Sequence, residues 1–443
     1  MPVPVDVAVV GAGTAGCIVA ARLAGAGRSV LLLEDGPAAL PGPEVTSLAQ
    51  LPVGGAGDRV VRCPEVRGRP VVRGRGLGGS SCVNGGYFLR AHPDDFARWP
   101  AWWTPSRIAD AYDALDGGDP GGGLLSVTPF DDDELGDVPR AFENYWGARL
   151  GAASDGVWPR PGLVRVRSNR VDGRRLSTAE ALLLGPERVH APGRAGGVGR
   201  RPGLTIRGGS WVESLVHDGR RVTGVRAGGT AIAAGEVILC AGALGTAALL
   251  QRSGLLAPMG VRALIPREHA ERVVRFTPRR EVAAPALLQS VVHTDAGIEI
   301  RCYGDDFARF IGGLEPRGVP IGVSDMAHPA RGSVVGTELD LGEPDEVSAA
   351  RMSSAVDAVV DMLDSPEFCG LVVPGSISVD SVTGMSQHAS GTLPLGSVVD
   401  HLGGALGVSG LRVVDGSVVP GGLRSGPHAT IAMAAWAIAG EIA

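Results

Sequence analysis

Residues 5 to 35, VDVAVVGAGTAGCIVAARLAGAGRSVLLLED, constrain the fold more than any other stretch of the chain. Val5 to Val10 is an apolar run rich in β-branched residues, the pattern of a parallel strand buried on both faces. Gly11, Gly13 and Gly16 follow as G-x-G-x-x-G. Ile18, Val19, Ala21 and Leu23 continue as a helix, "AGAGR" stops it, and "SVLLLED" is a second strand with Glu34 at its end. The glycines divide the physical work. One makes the turn, one lets the backbone approach a pyrophosphate, and one lets helix and strand pack closely. The helix N-terminus then offers free N–H groups and a positive dipole end to phosphate. Glu34, 18 positions after Gly16, is placed to accept hydrogen bonds from a ribose, and its charge opposes a 2′-phosphate. On this motif alone NAD and FAD are not distinguished.

Composition bounds the rest. A chain of 443 residues with 44% apolar residues supports two to three domain-sized units. The net charge is −6 and no long run of like charge stands out, which argues against a nucleic-acid partner. All 41 basic residues are arginine, so no lysine Schiff base can form. The six cysteines, at 17, 63, 82, 240, 302 and 369, form no C-x-x-C pair and no disulfide framework. No signal-peptide pattern and no spanning apolar run is present, so a cytoplasmic protein without a transmembrane segment is expected, peripheral contact with the inner membrane face remaining open. No metal-ligand spacing occurs among His, Cys and carboxylates.

The stretch "GRGLGGSSCVNGG", residues 74 to 86, concentrates Gly74, Gly76, Gly78, Gly79, Gly85 and Gly86 with Ser80, Ser81 and Asn84. Glycine has the most backbone freedom to lose on folding, so a linker or a very close approach to something bulky must justify it. The aromatic-rich "YFLRAHPDDFARWPAWW" that follows speaks against a linker. "RGRGLGGSSCVNGGYFLR" resembles the first signature of the glucose–methanol–choline (GMC) FAD-dependent oxidoreductase family. "VILCAGALGTAALLQRSG" (237–254) is similar to the second signature, and "HASGTLPLG" (388–396) with "LRVVDGSVVPGGLRSGPHATIAM" (411–433) to the C-terminal block.

The resemblance implies an α/β fold: a discontinuous Rossmann-like FAD-binding domain, with a smaller α+β substrate or cap domain built on an antiparallel sheet. The FAD-binding domain is expected over 1–90, 163–260 and 385–443, and the lid and cap over 91–162 and 261–384. In the cap, 286–304 reads as two strands about an Asp-Ala-Gly turn, and "PIGVSDMAHPARGSVVGTELDL" as two more. Val347, Ala350, Ala355, Val359 and Leu363 mark a helix by their spacing. Residues 117–162, rich in Gly, Pro and Asp, read as a lid or connection. The chain is short for the family, which implies a trimmed cap.

By resemblance, the cofactor is FAD, contacted by Gly11, Gly13, Gly16, Glu34, Gly78, Gly79, Ser80, Asn84, Gly85, Val212, Ala241, Gly242, Asp415, Gly416, Pro427, His428 and Ala429. Some family members link the flavin covalently through a His; Val83 stands there, so binding is expected to be non-covalent. His388 heads "HASGT", matches the family's H-x-x-G-T, and is the expected proton acceptor, an imidazole being suited to proton transfer near neutral pH. The family's second catalytic place holds Gly426, which leaves room for a bulky substrate, and His428, two residues on, is a second catalytic candidate expected at most to assist His388. The remaining histidines, 92, 190, 217, 269, 293, 328 and 401, carry no motif. "QLPVGG", "VNGGYFLR", "RVDGRRLSTA" and "SGPHAT" look most similar to the mycofactocin-associated dehydrogenases. That likeness implies oxidation of mycofactocinol, a redox-cofactor substrate, with electrons passed to a respiratory-chain acceptor. The alternatives are another alcohol, such as choline, a sugar or an aliphatic alcohol, with oxygen or quinone as acceptor, and a flavoprotein that binds FAD only structurally.

Overall fold

The structure, a computed structural model, describes residues 5–54, 57–118, 123–183 and 201–443. His190 lies outside them. The first sheet grows from Val5–Val10, whose residues Val7 to Val10 are buried on both faces. It pairs in parallel with Val30–Leu33 on one side and with the end of Thr230–Leu239 on the other, in registers Val9↔Leu32 and Val9↔Ile238. Leu204–Arg207 extends the sheet in parallel beyond Val30–Leu33, and Leu411–Val413 lies parallel to Thr230–Leu239. Val212–His217, Val222–Ala227 and Thr230–Leu239 form an antiparallel meander at the far edge. The helix Thr14–Gly25 and the C-terminal helix Pro427–Glu441 share one hydrophobic core with this sheet, and the Arg22 guanidinium lies 3.9 Å over the Trp436 ring.

The second sheet is antiparallel, in the order 378–379, 270–276, 319–325, 298–303, 288–293, 162–165. Its apolar face, with Val274, Val292, Ile300 and Ile321, packs against helices Asp137–Leu150 and Glu346–Leu363 through Val138, Phe142, Met352, Val356 and Val359. Alternation puts Glu271, Glu299, Arg301, Tyr303 and Ser324 on the other face, where Tyr87 reaches Glu299 and Ser386 reaches Arg301. Among the described residues no helix is long and apolar enough to cross a membrane.

The structure corrects several sequence expectations. The lid segment contains the 14-residue helix Asp137–Leu150, whose buried Val138, Ala141, Phe142 and Tyr145 stand at helical spacing. Residues 91–118 are not part of the cap. Trp99, Trp103, Ile108, Tyr112 and Leu115 join the core of the first sheet, and Tyr112 Oη bonds Thr430 Oγ1 at 2.9 Å. The boundary at 163 falls inside the strand Gly162–Arg165, which belongs to the second sheet. In 319–340 only Val319–Asp325 is a full strand; the rest is the short hairpin Ser333–Val335 with Glu338–Asp340, and Ala330–Arg331. The buried stripe of the helix Glu346–Leu363 is Ser348, Met352, Val356, Val359 and Leu363, while Val347 is 61% exposed. Ser348 takes the core position because the Asp345 side chain caps this residue's N–H at 2.8 Å and fixes the helix phase.

Candidate active site

The two glycine-rich stretches explain each other. Gly78 N–H donates to Ala12 C=O at 2.8 Å, so the 74–86 loop lies directly on the G-x-G-x-x-G turn. A Cβ on Gly79 would stand 2.8 Å from Gly13 Cα, and one on Gly16 only 1.8 Å from the Gly11 carbonyl oxygen. Backbone packs on backbone here, and side chains do not fit. Ser80 Oγ accepts from Gly74 N–H at 3.0 Å and closes the loop on itself.

Glu34 joins the same two stretches. Its buried carboxylate accepts N–H groups from Ala12 at 2.7 Å, Gly36 at 2.9 Å and Gly76 at 2.8 Å. Sequence reasoning placed Glu34 against a ribose and missed this clasp, because Gly76 is 42 residues away. Glu34→Ala should therefore destabilise the protein before any cofactor is added, by about 1–3 kcal/mol for stranded buried donors. Chemical denaturation of the cofactor-stripped variant checks this; an unchanged midpoint would leave Glu34 with a ligand role alone.

A second buried carboxylate does parallel work. Asp415 accepts from Gly242 N–H at 2.9 Å, Thr246 Oγ1 at 2.6 Å and Ser417 N–H at 2.8 Å. It fixes the start of helix Gly242–Arg252, whose N-cap is Ala241, against the turn Gly416–Val418. Val212 opens the meander with its carbonyl accepting from Arg252 Nη2 at 3.1 Å.

Asn84 stands at the end of the glycine loop. Its Oδ1 accepts Gly86 N–H at 2.9 Å, which fixes the amide orientation, and its Nδ2 then donates to His428 Nδ1 at 3.3 Å. Beside it, a Cβ on Gly85 would meet only Leu287, at 3.8 Å. His428 follows Pro427 in the first turn of the C-terminal helix, ahead of buried Ala429. That turn has Gly426 as N-cap, no side-chain cap and no acidic residue. Burial pushes the His428 imidazole down to about 4. With Nδ1 accepting, the proton of the neutral ring is on Nε2, and Nε2 is buried without a partner among the described residues. Phe88 packs edge-on against the ring at 5.3 Å.

His388 approaches the same helix start from the opposite strand connection. A Cβ on Gly426 would lie 3.6 Å from His388 Nε2, and Nε2 has no hydrogen-bond partner among the described residues. Burial, then neighbouring His269 and the Arg301 and Arg73 cations, hold His388 well below the ordinary imidazole value. The fold thus brings His388, His428, Gly426 and Asn84 together. It leaves His92, His217, His293, His328 and His401 in local contacts elsewhere.

His269 is the residue sequence reasoning missed. Its Nδ1 lies 3.1 Å from His388 Nδ1 across 119 positions, and no local pattern signals it. Glu268, His269 and His388 bring one ligand-type atom each within 4.8 Å of one another, a proximity that spacing rules do not see.

The N-terminal profile of the GMC oxidoreductase family matches residues 5–145, and the C-terminal profile residues 342–435. A GMC-type oxidoreductase from Rhodococcus erythropolis is 30% identical over 491 residues, covering 97% of this chain and 96% of the relative. Pyridoxine 4-oxidase from Microbacterium luteolum is 33% identical over 290 residues, covering 56% of this chain and 52% of that one, so the match spans about half its length. The crystal structure of pyridoxine 4-oxidase from Mesorbium loti superposes with a TM-score of 0.81 at 23% identity, over 99% of both chains, and shares the fold. Profiles at both ends and a relative aligned along nearly its whole length agree: the chain belongs to the GMC oxidoreductase family and is an oxidoreductase of that flavoenzyme fold.

Proposed function

We propose that the chain holds FAD non-covalently and oxidises an alcohol, with His388 accepting the hydroxyl proton. The observation that carries this reading is the bare Nε2 of His388 facing the uncapped start of helix Pro427–Glu441. The residues suit the cofactor. The first turn of Thr14–Gly25 has neither a side-chain cap nor an acid, and a Cβ on Gly13 would point into open space, which leaves its N–H groups for a pyrophosphate. Gly11, Gly16, Gly78, Gly79 and Ser80 shape that cradle, Glu34 keeps one lone pair, on Oε2, for a ribose hydroxyl, and Val212 is at the adenine position. Ala241, Gly242, Asp415 and Gly416 form the adjoining wall. Asn84, Gly85, Pro427, His428 and Ala429 would hold the flavin ring, and the unpartnered Nε2–H of His428 would be available as a donor to it. Val83, buried where other members carry a linking His, has no nucleophile.

Bound FAD supplies the hydride acceptor. His388 Nε2 takes the hydroxyl proton, and the positive end of the C-terminal helix favours negative charge beside it. We assign mycofactocinol as the substrate and a respiratory acceptor, reached from the cytoplasmic side, as the electron sink. The four stretches similar to mycofactocin-associated dehydrogenases support that choice. A second reading, a small alcohol such as pyridoxine, is favoured by the 33% identity to a pyridoxine 4-oxidase. Anaerobic flavin bleaching across mycofactocinol, pyridoxine and choline decides. Fastest bleaching by mycofactocinol is expected; fastest bleaching by pyridoxine selects the second reading, and no bleaching by any alcohol sinks both.

A further inference from the structure

His269 sits between the strand pieces Arg267–Glu268 and Ala270–Phe276 and is 3% exposed. Burial, with Arg301 close by, pushes its imidazole down to about 4, so the ring is neutral and carries a single N–H. Its Nε2 lies 3.2 Å from the Met326 carbonyl oxygen, which can only accept. The proton of His269 is therefore on Nε2, and Nδ1 is a bare lone pair. That lone pair faces His388 Nδ1 at 3.1 Å. The contact is a hydrogen bond only if His388 Nδ1 is the donor. The opposite assignment would set two lone pairs against each other at Met326. The pairing is held from the backbone as well. Glu268 Oε1 accepts the N–H of both His269, at 2.9 Å, and His388, at 2.8 Å, and the rings stand at 80° with centroids 5.2 Å apart.

We infer that His269 is a positioning residue: through Met326 C=O and the His269–His388 contact, the fold fixes His388 in the Nδ1–H tautomer, with its Nε2 lone pair toward the reacting side. The inference rests on the reading of His388 as proton acceptor. In that step the substrate O–H bond breaks, an Nε2–H bond forms, and the electron pair stays on oxygen. The Nδ1–H donated to His269 then becomes charge-assisted and stronger, so the pair holds the product of the transfer better than the reactant. A free neutral imidazole would distribute its proton between both nitrogens, and the Nε2–H fraction would be inert as a base.

The test begins with the wild-type holoenzyme labelled with 15N in histidine. Long-range 15N–1H correlation spectra, assigned with His388→Gln and His269→Asn, should show His388 protonated at Nδ1 and His269 at Nε2. His388 protonated at Nε2 would overturn the inference. One equivalent of a divalent metal removed from the pair by EDTA would also overturn it, because both Nδ1 lone pairs would then belong to the ion. In anaerobic stopped flow, with the alcohol that bleaches the wild-type flavin fastest, His269→Phe should lose roughly 10- to 100-fold in rate, the usual worth of a residue that orients a reacting group. His269→Asn, whose Oδ1 replaces Nδ1 as acceptor, should recover most of that rate. Equal losses in the two variants, or none in either, count against positioning. If the spectra show the Nδ1–H tautomer while His388→Ala keeps full rate, the proton-acceptor reading fails and the tautomer assignment stands on the spectra alone.

Discussion

His388→Ala retains its flavin and loses roughly 10²- to 10⁴-fold in the rate of flavin reduction, the contribution of a positioned general base. His428→Ala loses about tenfold, because what it removes is a neutral hydrogen-bond partner worth about 0.5–1.5 kcal/mol. The difference follows from where the two rings hold their protons. His428 spends its Nδ1 lone pair on Asn84, so the nitrogen left, Nε2, is a donor, and a donor cannot take a proton. His388 has the reverse arrangement, with Nδ1 engaged by His269 and a bare Nε2 beside Gly426. Rapid-reaction measurements on both variants are decisive: if His428→Ala is the slower, the roles are exchanged.

The pH dependence has a definite sign. A base works only when unprotonated, so the rate falls as pH drops through the value of His388. Burial, His269 and the Arg301 and Arg73 cations hold that value below the ordinary 6.5. Glu268, whose carboxylate accepts the His388 backbone N–H, is itself pushed up by burial to about 7 and is mostly neutral in the acid range. The acid limb of flavin reduction should therefore lie below pH 6.5. A limb above it would mean that another group accepts the proton.

What the sequence made legible was local. The run from Val5 to Glu34 carries its own strand, turn and helix signals within one stretch, and Pro427 marks the start of the last helix because proline suits the first turn. The helix Asp137–Leu150 was hidden because its surrounding Asp and Gly residues dominate composition while its buried face is narrow, carried mainly by Val138, Ala141, Phe142 and Tyr145. The phase of Glu346–Leu363 was misread because a capped serine, and not a large apolar residue, fills the first core position. The site was legible as a set of residue types, and its wiring was not. Glu34 reaching Gly76, Asp415 reaching Gly242 and His269 reaching His388 are contacts between residues far apart in the sequence, set only by the tertiary fold. Apolar periodicity carries no information about them.

Replacing Arg175 with methionine should cost about 1–3 kcal/mol of stability, the penalty for depriving backbone carbonyls of their hydrogen-bond donor inside the fold. Arg175 is fully buried, and no carboxylate pairs with it among the described residues. Its guanidinium is held by four backbone carbonyls: Nε donates to Asn84, Nη1 to Ser47 and Val45, and Nη2 to Gln50 at 2.6 Å. Burial lowers it to about 10, so it remains charged at neutral pH and the carbonyl dipoles carry the compensation. Methionine fills most of the stem's volume but takes the guanidinium donor away from four part-buried carbonyls. Lysine keeps the charge and lacks the planar fork, so it should recover only part of the loss. The effect reaches the site by a short route, because the carbonyl that Arg175 Nε holds belongs to Asn84, whose amide orients His428. Arg175→Met should then also release flavin more readily than wild type. Arg309, 64% exposed and paired at the surface, is the control: Arg309→Met should change stability by no more than about 0.5 kcal/mol. Chemical denaturation of the three variants separates a requirement for this fork at this place from a general need for positive charge, and a loss below about 1 kcal/mol in Arg175→Met would show that water can replace the guanidinium among those carbonyls.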